Sequence, residues 1–452
     1  MNDMKKLSGL AGAALLASTA SWAVGPPEQN ELVFGFIKLT DMAPLAVAHE
    51  RGYFADEGLD VLLEAQANWG QLLQGVVDGT LDGAHMLAPQ PLAARIGYGD
   101  VEGEVIVPLS LDLNGNAITV SNAVWEAMGA HVARDDAGRP VHPIGADALK
   151  PLVDAHIERG ETFKLAMVHP ASTHNYELRY WLAAGGIHPG LYDASKLDAK
   201  SRTGWIDAEA RLYVAPPPQM PRQLADGRVH GYCVGEPWNQ QAVASGTGVP
   251  VVTDHQIWSR NPEKVFGLSA TFAEDYPNTT VRIVRALLRA GKWLDENDNA
   301  NRPEAVEMLA RPEYVGAPPE VLAASMTGTF EFERGDRRPA PDFNVFFRHF
   351  ATYPYYSDAV WFLTQMRRWG QIAEARTDEW YLETARSVYR PDIYATAARE
   401  LVAEGLMEAG DFPVFESETG MRSPSTEFID AVSFDAREPN AYLRRLAIGN
   451  KD

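Results

Sequence analysis

Short apolar segments alternate with helical segments along most of this chain, and this rhythm constrains the fold more than any other feature. The segments predicted to be strands are residues 32–39, 59–63, 84–87, 105–109, 163–168, 212–214, 229–234 and 251–253. Short loops between alternating strands and helices favour β-α-β units. The sequence therefore predicts an α/β protein with parallel sheets flanked by helices.

The chain length of 452 residues is too great for one ordinary hydrophobic core, so more than one domain is expected. We predict a first lobe of residues 24–115 and 253–375, a second lobe of residues 116–252, and a C-terminal extension of residues 376–452 packed on the first lobe. The pattern becomes mostly helical from residue 278 onward. The division predicts two lobes around a cleft with an added helical C-terminal region.

Two segments inside this division have unusual compositions. Residues 135–151 are polar and rich in turn formers, which indicates a surface insertion. Residues 343–369 are rich in Phe, Tyr and Trp. Because aromatic side chains lie mostly in cores, we interpret this second segment as a helical layer packed on the first lobe rather than as a ligand cage.

The N-terminus has the pattern of a secretory signal peptide. Lys5 and Lys6 precede an apolar run over residues 7–17, and Ser21-Trp22-Ala23 fits a cleavage site. The apolar run is too short to span a membrane, and no later stretch approaches 20 continuous apolar residues. We therefore predict that residues 1–23 are removed and that the mature protein is periplasmic, without a membrane span or lipid anchor.

The charge and the cysteine count exclude several classes of function. There are 61 acidic and 40 basic residues, for a net charge of −21, which opposes binding to nucleic acids and anionic lipids. The single cysteine, Cys233, rules out an internal disulfide and a cysteine-rich zinc site. An anion site in such a chain must depend on short-range contacts, because long-range fields are screened at physiological salt.

Two phrases roughly 60 residues apart carry the strongest functional signal. Residues 167–175 pass from a strand end through a donor-rich turn into a helix, and residues 231–239 do the same, followed by Asn261-Pro262-Glu263-Lys264. Exposed N–H groups at a helix start attract anions, and a nearby cation adds charge-assisted hydrogen bonds. Ligands of open α/β sheets collect beyond the carboxyl ends of the strands. The sequence thus predicts a binder of a small anion.

Five residues are candidates for this site, and each has a plainer interpretation. Trp69 offers an indole N–H, Asn116 an amide, and His174 a ring at a helix start where a neutral, donating form is favoured. Gly235 lets a ligand approach the backbone, and Lys264 offers a positive charge. Taken singly, each also fits a plainer role: a half-buried aromatic, a turn residue, a first-turn residue, a turn glycine and a surface lysine. The plainer role is favoured for Asn116, His174 and Lys264 and weighs equally for Trp69 and Gly235.

Catalytic interpretations are weaker but stay open. The chain has no Gly-x-Ser-x-Gly, phosphate-binding loop or His-Glu-x-x-His motif, and His169 and His174 are five residues apart, unlike the common zinc pair. Acidic residues are numerous enough for a secreted hydrolase with paired carboxylates, although no spacing selects a pair.

Several phrases together resemble the periplasmic nitrate/bicarbonate-binding proteins of ABC importers, over roughly residues 31 to 375. The matching phrases are Leu39-Thr40-Asp41 with Ala43-Pro44-Leu45, Gln66 with Trp69, Leu113-Asn114-Gly115-Asn116, Val168-His169-Pro170 with Ser172-Thr173-His174-Asn175, the run from Arg179 to Gly186, Pro216-Pro217-Pro218-Gln219-Met220, the run from Cys233 to Asn239, Asn261-Pro262-Glu263-Lys264 and Tyr353-Pro354-Tyr355. The resemblance implies a two-lobed periplasmic binding protein fold, type II-like, with an anion held in the cleft.

The resemblance also implies roles for the five candidates. Nitrate members hold their oxyanion with a tryptophan, a glutamine-type amide, a histidine, a backbone glycine and a lysine, which correspond here to Trp69, Asn116, His174, Gly235 and Lys264. Asn116 departs from the pattern, because those members have Gln there. The resemblance further implies delivery to an ABC permease and its ATPase, with no cofactor and no enzymatic activity.

Lys264 separates nitrate from bicarbonate within this group. The bicarbonate members, by the same resemblance, use calcium assisted by an acidic residue, and a lysine at that place would repel the metal. We therefore expect nitrate, or nitrite, as the ligand. Bicarbonate, a sulfonate or another small organic anion is the nearest alternative, and a nitrate sensor is a further one that the signal peptide disfavours.

Overall fold

The computed structural model describes residues 24–196, 198–413 and 420–450. The predicted signal peptide, residues 1–23, lies outside the described residues. Two five-stranded sheets dominate the structure, and helices pack on them.

The strands in chain order are β1 Glu31–Phe36, β2 Asp60–Ala65, β3 Gly83–Leu87, β4 Val105–Ser110, β5 Leu113–Asn114, β6 Asn116–Ser121, β7 Phe163–Met167, β8 Ala210–Val214, β9 Gly231–Gly235, β10 Gly248–Thr253, β11 Lys264–Ser269, β12 Thr329–Glu333, β13 Asp336–Pro339 and β14 Asn344–Val345. The first sheet has the order β2-β1-β3-β11-β4, and the second has the order β10-β6-β9-β7-β8. The strands β12 and β13 form a hairpin, and β14 pairs with β5.

The α-helices are α1 Ala43–Glu50, α2 Tyr53–Asp56, α3 Trp69–Asp78, α4 Gln90–Arg95, α5 Asn122–Met128, α6 Lys150–Glu158, α7 Thr173–Ala184, α8 Ala199–Arg202, α9 Met220–Ala225, α10 Trp238–Ser245, α11 Asp254–Ile257, α12 Ala270–Asp275, α13 Pro277–Asn299, α14 Arg302–Leu309, α15 Pro319–Met326, α16 Tyr356–Arg368, α17 Asp378–Val388, α18 Pro391–Ala403 and α19 Pro439–Arg445. Short 3-10 turns occur at Thr40–Met42, Gly129–His131, Ala146–Ala148, Pro217–Gln219, Arg348–Phe350 and Ala409–Asp411.

Both sheets are mixed, so the prediction of purely parallel sheets is wrong. In the first sheet β1 runs parallel to β2 and β3, but β11 is antiparallel to β3 and β4. In the second, β7 runs parallel to β8 and β9, but β6 is antiparallel to β9 and β10. The two antiparallel strands follow the two crossings of the chain. Strand β6 comes directly after the chain crosses from the first sheet to the second, and β11 comes directly after it returns.

Two crossing segments, residues 111–115 and 254–263, connect the sheets and touch each other. The backbone N–H of Asn114 donates to the carbonyl of Asn261 over 2.9 Å, and the Asn261 amide donates to the Asn114 side chain over 3.1 Å. Strand β14 pairs with β5 at the same place. This junction brings the carboxyl ends of β1, β3, β7 and β9 close together.

Local sequence explains how the junction helices start. Asn68 and Ser172 adopt extended backbone conformations, and their side chains accept from the N–H of Gln71 and Asn175, which caps α3 and α7. Asp41, just before α1, makes no cap hydrogen bond, and its carboxylate lies in an ion-pair cluster instead.

The C-terminal half contacts both sheets. Helices α17 and α18 pack on β4, and α18 also packs on α13. Farther along, the Phe428 ring stacks on Tyr180 of α7, and Tyr180 donates to Asp430 over 2.8 Å. The C-terminal residues 428–430 thus contact helix α7 through this aromatic cluster, and the predicted division into two lobes and an extension stays a prediction.

The two compositionally unusual segments also differ from expectation. The aromatic run is split: Phe346 and Tyr353 pack with the first sheet's helices, while Phe362 of α16 lies near Tyr176 of α7. The predicted surface insertion turns inward at its end, where buried Ile144 accepts from the Trp181 indole over 2.9 Å. Among the described helices we find none that is both long and apolar enough to span a membrane.

Candidate functional site

The five predicted site residues lie together where the two sheets meet, and we call their surroundings the junction pocket. Trp69 begins α3, His174 is the second residue of α7, and Lys264 begins β11. Asn116, which begins β6, pairs with Gly235, which ends β9. All five are buried, with at most 2% of any side chain exposed. The predicted convergence of Lys264 and His174 is therefore observed.

The sequence suggested that neutral donors surround Lys264, but the structure places carboxylates around it. Its ammonium lies 2.7 Å from the Asp41 carboxylate and contacts the Glu263 carboxylate. Its backbone N–H donates to Asp112 over 2.9 Å. The Lys264 nitrogen is also 5.6 Å from the centroid of the Trp69 ring, within cation–π range.

Asp41 bridges Lys264 to a second buried base, His85. The distance from Asp41 Oδ1 to His85 Nε2 is 2.7 Å. Although burial alone would raise the pKa of Asp41, Lys264 and His85 lower it to about 2, so this carboxylate is charged. Burial lowers the pKa of His85 despite the opposing effect of Asp41.

His174 lies at the second sheet's side of the pocket and contacts Glu263. Its Nε2 is 3.4 Å from Glu263 Oε1 but makes no hydrogen bond among the described residues. Burial, reinforced by the charge of Lys264, holds the pKa of His174 well below its usual range. The ring is therefore neutral, as the sequence predicted from its position at a helix start.

Both side-chain amide hydrogens of Asn116 donate to carboxyl groups. Its Nδ2 donates to Glu263 Oε1 over 2.9 Å and to Glu177 Oε2 over 3.1 Å, while its backbone N–H donates to Asp254 over 3.0 Å. Its Oδ1 has no partner in the described part of the chain. The expected free amide donor is thus already occupied.

Trp69 is the clearest free donor of the pocket. Its indole N–H is buried, and no described residue accepts from it. The ring is fixed on one side by His85, at 5.5 Å between centroids, and its backbone carbonyl accepts from Gln90 over 2.7 Å. An unsatisfied buried donor costs about 1–3 kcal/mol, which a ligand oxygen would relieve.

Position 235 requires a glycine because the surrounding side chains leave little room for a Cβ atom. A Cβ at this position would lie 3.3 Å from both Asn116 Oδ1 and Asp41 Oδ2, and 3.4 Å from Leu39. These contacts are tight, so a larger residue would push into the pocket. The backbone there is not in the left-handed region, and close approach alone explains the glycine.

Further carboxyl groups surround the pocket, and burial favours their neutral form. Burial raises the pKa of Asp112 and Glu177 well above the usual range, and it raises the pKa of Asp254 to about 7 and that of Glu236 to about 8. Protonation of these outer carboxyls limits the negative charge around Lys264.

A small cavity of about 170 Å³ adjoins Trp69 between the two sheets. Gln66 and Asn68 line its first-sheet side, and Pro216-Pro217-Pro218 lines the opposite side. Of the five predicted site residues, Trp69 is the one that lines this cavity. The adjoining junction pocket holds one ammonium, an indole N–H and a neutral imidazole, all buried, and these groups suit a small planar anion.

The sequence was compared with known protein families, and the family described as "NMT1-like family" matches residues 25–310. The chain belongs to the NMT1-like family.

Curated relatives of this NMT1-like protein include transport components of cyanobacteria. The nitrate import ATP-binding protein NrtC of Synechocystis is 34% identical over 430 residues, which cover 93% of this chain and 56% of the relative. The chain thus spans little more than half the length of that relative. The nitrate/nitrite binding protein NrtA of Synechocystis is 31% identical over 433 residues, covering 93% of this chain and 86% of the relative.

A solved structure is similar over almost the whole chain. The periplasmic nitrate-binding protein NrtA from Synechocystis superposes with a TM-score of 0.80 and 30% identity, covering 94% of this chain and 100% of the other. The predicted resemblance and the mixed α/β periplasmic binding protein fold are confirmed.

Sequence reasoning missed the acidic members of this NMT1-like site. The missed contact residues are Asp41, His85, Asp112, Thr173, Glu177, Asp254 and Glu263. Asp41, Thr173 and Glu263 stand inside the quoted phrases, so their positions were visible. Their orientation was not, because Thr173 and Glu263 stand next to His174 and Lys264, which were assigned to the site, and the partners of Asp41 lie far away in sequence.

Proposed function

We propose that the protein is an extracytoplasmic solute-binding protein that captures nitrate, or nitrite, in the junction pocket and delivers it to an ABC permease. The observation that carries this proposal is a pair of buried nitrogens, Trp69 Nε1 and His174 Nε2, that have no hydrogen-bond partner among the described residues and lie in a pocket around Lys264. Donors without partners are expensive in a folded interior, and a planar oxyanion supplies acceptors for several at once. The similarity to nitrate/nitrite binding proteins supports the same ligand class.

Capture is proposed to couple to movement of two lobes. The proposed lobes keep the predicted boundaries, with residues 24–115 and 253–375 in one and residues 116–252 in the other. Trp69 and Lys264 come from the first sheet, while Asn116, His174 and Gly235 come from the second. An anion that contacts both sides stabilises the closed arrangement, which is the form we expect to dock on the permease.

The transport role also sets the expected partners and location. We infer a cleaved signal peptide over residues 1–23, a periplasmic mature chain, and association with a permease and an ATPase of the kind named among the relatives. A binding protein returns its ligand unchanged, so neither catalysis nor a cofactor is part of the proposal.

Bicarbonate with a divalent cation is the one rival that a specific feature favours. Oxygen atoms of Asp41, Asp112 and Glu263 lie within 4.8 Å of one another, as calcium ligands would. The arrangement does not fit a cation, however, because the Lys264 ammonium contacts Asp41 and Glu263 and fills that role. We therefore retain nitrate.

Isothermal titration of the chain from residue 24 onward tests the proposal. Nitrate, nitrite and bicarbonate would be titrated separately, each with and without calcium. We expect saturable binding of nitrate or nitrite that calcium does not change. Calcium-dependent bicarbonate binding without nitrate binding would replace the proposal by its rival, and turnover of any ligand would refute the binding role.

A further inference from the structure

Glu263 occupies the place that the proposed function gives to the ligand. Its Oε1 accepts from Asn116 Nδ2 over 2.9 Å and from Thr173 Oγ1 over 2.6 Å, and it lies 3.4 Å from His174 Nε2. Its Oε2 contacts the Lys264 ammonium. The side chain is completely buried. Three of the five residues assigned to the anion thus already point at a carboxylate of the protein itself.

A carboxylate is chemically close to the proposed ligand. Like nitrate, it is a planar monoanion whose charge is spread over equivalent oxygens, and it attracts the same cations and N–H and O–H donors. A hydrogen that donates to Glu263 is not available to a second acceptor at full strength. The ligand and the Glu263 side chain therefore compete for one donor set.

The Glu263 contacts also connect the two sides of the junction. Asn116 begins β6 and Thr173 begins α7, both of the second sheet, whereas Glu263 ends the crossing segment that leads into β11 of the first sheet. The carboxylate thereby makes the cross-sheet contacts that a bound anion would make. These hydrogen bonds from Asn116 and Thr173 to Glu263 hold the two sides of the junction close together.

Repulsion between negative charges makes it unfavourable for a monoanion and the Glu263 carboxylate to occupy the junction pocket together. The Lys264 ammonium already faces Asp41 and Glu263. A monoanion added beside them would place three negative groups around one positive group in a buried setting, where like charges repel strongly. The ligand must therefore displace the Glu263 carboxylate from its donors.

We propose that Glu263 is an intramolecular competitor for the ligand and sets the affinity of the junction pocket for monoanions. This inference rests on the proposed function. It assigns a specificity-determining role to the residue next to Lys264 and predicts that the unmodified protein binds nitrate more weakly than its donor set allows.

The test compares Glu263→Gln with a matched control, Glu57→Gln, by titration with nitrate. Gln at 263 keeps the size and one acceptor oxygen but removes the competing charge. Glu57 is also a buried, ion-paired glutamate, 2% exposed and 2.9 Å from Arg285, but it lies outside the junction pocket. We expect at least tenfold tighter nitrate binding by Glu263→Gln and a change of less than threefold for Glu57→Gln.

A second variant, Glu263→Ala, tests the inference even if Glu263→Gln misfolds, and it distinguishes competition for the ligand from a merely structural role of Glu263. Glu263→Ala leaves a carboxylate-sized space, so formate should bind there and compete with nitrate. Equal or weaker nitrate binding by Glu263→Gln and Glu263→Ala, with the unmodified protein binding nitrate, overturns the inference and leaves the proposed function standing. Absence of nitrate binding by all variants and by the unmodified protein overturns both.

Discussion

At the scale of single residues, the Trp69 indole N–H offers the cleanest separation of binding from folding. Trp69→Phe removes a donor that has no partner in the described structure, so the ligand-free protein loses no hydrogen bond. Bound nitrate, the charged acceptor, loses the hydrogen bond that the indole N–H would donate, which is worth about 1.5–3 kcal/mol. We expect nitrate affinity, measured by titration, to fall roughly tenfold or more on this basis.

The control for Trp69→Phe is Trp181→Phe. The Trp181 indole donates to Ile144 over 2.9 Å inside α7's packing, away from the pocket. This control should lower the urea midpoint and leave the nitrate dissociation constant unchanged. If Trp69→Phe bound nitrate as tightly as the unmodified protein, the indole would have no contact with the ligand.

Replacing Lys264 should affect both folding and binding. Lys264→Met leaves the Asp41 and Glu263 carboxylates buried without their cation. Breaking a buried pair in this way costs about 3–5 kcal/mol of unfolding free energy, and losing the charge contact to the ligand costs about 2–5 kcal/mol of binding free energy. Urea unfolding and titration measure the two effects separately.

Lys292→Met provides the matched comparison for Lys264→Met. Lys292 pairs with Asp411 over 2.6 Å on α13, at a partly exposed position outside the pocket. We expect a loss of stability of about 1 kcal/mol or less and unchanged nitrate binding. Equal stability losses in the two variants would show that the Lys264 cluster is not the buried network described above.

At the scale of helices and strands, the apolar pattern predicted eight segments that all overlap observed strands, but it missed six other strands, four of which (β5, β6, β11 and β14) lie at the junction. Strands β6 and β11 begin with Asn116 and Lys264, polar residues that do not look like strand starts in a sequence. Their burial results from contact with the opposite sheet, which no local pattern encodes. The same reason explains why the mixed direction of both sheets was not predicted.

The candidate site shows the same limit. Trp69, Asn116, His174, Gly235 and Lys264 were found from phrases and resemblance, and the structure brings them together. The carboxylates of Asp41 and Glu263 were not assigned, because their partners lie far away in sequence or belong to an adjacent residue with an obvious charge. Whether each of the five residues touches ligand stays a prediction.

The turn between β9 and α10 predicts a pH dependence of stability. Burial raises the pKa of Glu236 from 4.5 to about 8, so the folded protein keeps a proton that the unfolded chain releases above about pH 4.5. The stabilisation is complete below pH 4.5 and is lost as the pH rises through 8. Glu236→Gln should therefore equal the unmodified protein at acidic pH and exceed it by several kcal/mol above pH 8.

Thermal unfolding across pH 4 to 9 (a range chosen to bracket both pKa values roughly) measures this difference. Glu379→Gln, an exposed change on α17, serves as the control and should follow the unmodified protein throughout. A constant difference between Glu236→Gln and the unmodified protein at every pH would contradict a buried proton at Glu236.

At the scale of the whole molecule, direct contacts between the two sides of the junction are expected to stabilise the closed arrangement proposed above. The Thr40 N–H donates to the Glu236 carbonyl over 2.8 Å, and the Trp238 indole donates to the Lys38 carbonyl over 3.1 Å. Both bonds cross the junction. Each should contribute about 0.5–1.5 kcal/mol to closure, and closure contributes to apparent ligand affinity.

Trp238→Phe should therefore weaken nitrate binding by roughly two- to tenfold without touching the ligand. Trp205→Phe is the comparison, because the Trp205 indole donates over 2.8 Å to Leu212 within the second sheet's own packing. We expect unchanged affinity in that variant. Similar affinity losses in both variants would mean that the Trp238 hydrogen bond has no special role in closure. Scattering profiles with and without nitrate would then show whether closure occurs at all.

The adjacency of Glu263 and Lys264 has a consequence for the emptied receptor. When the cargo leaves, the counter-charge is one peptide bond away, so the interior never holds a naked ammonium. Abundant halides then meet an ammonium that already faces two carboxylates, and a sphere cannot reproduce the directional bonds that Asn116 and Thr173 make with a flat acceptor. We therefore expect chloride to bind weakly, because a carboxylate directly precedes Lys264 in the sequence.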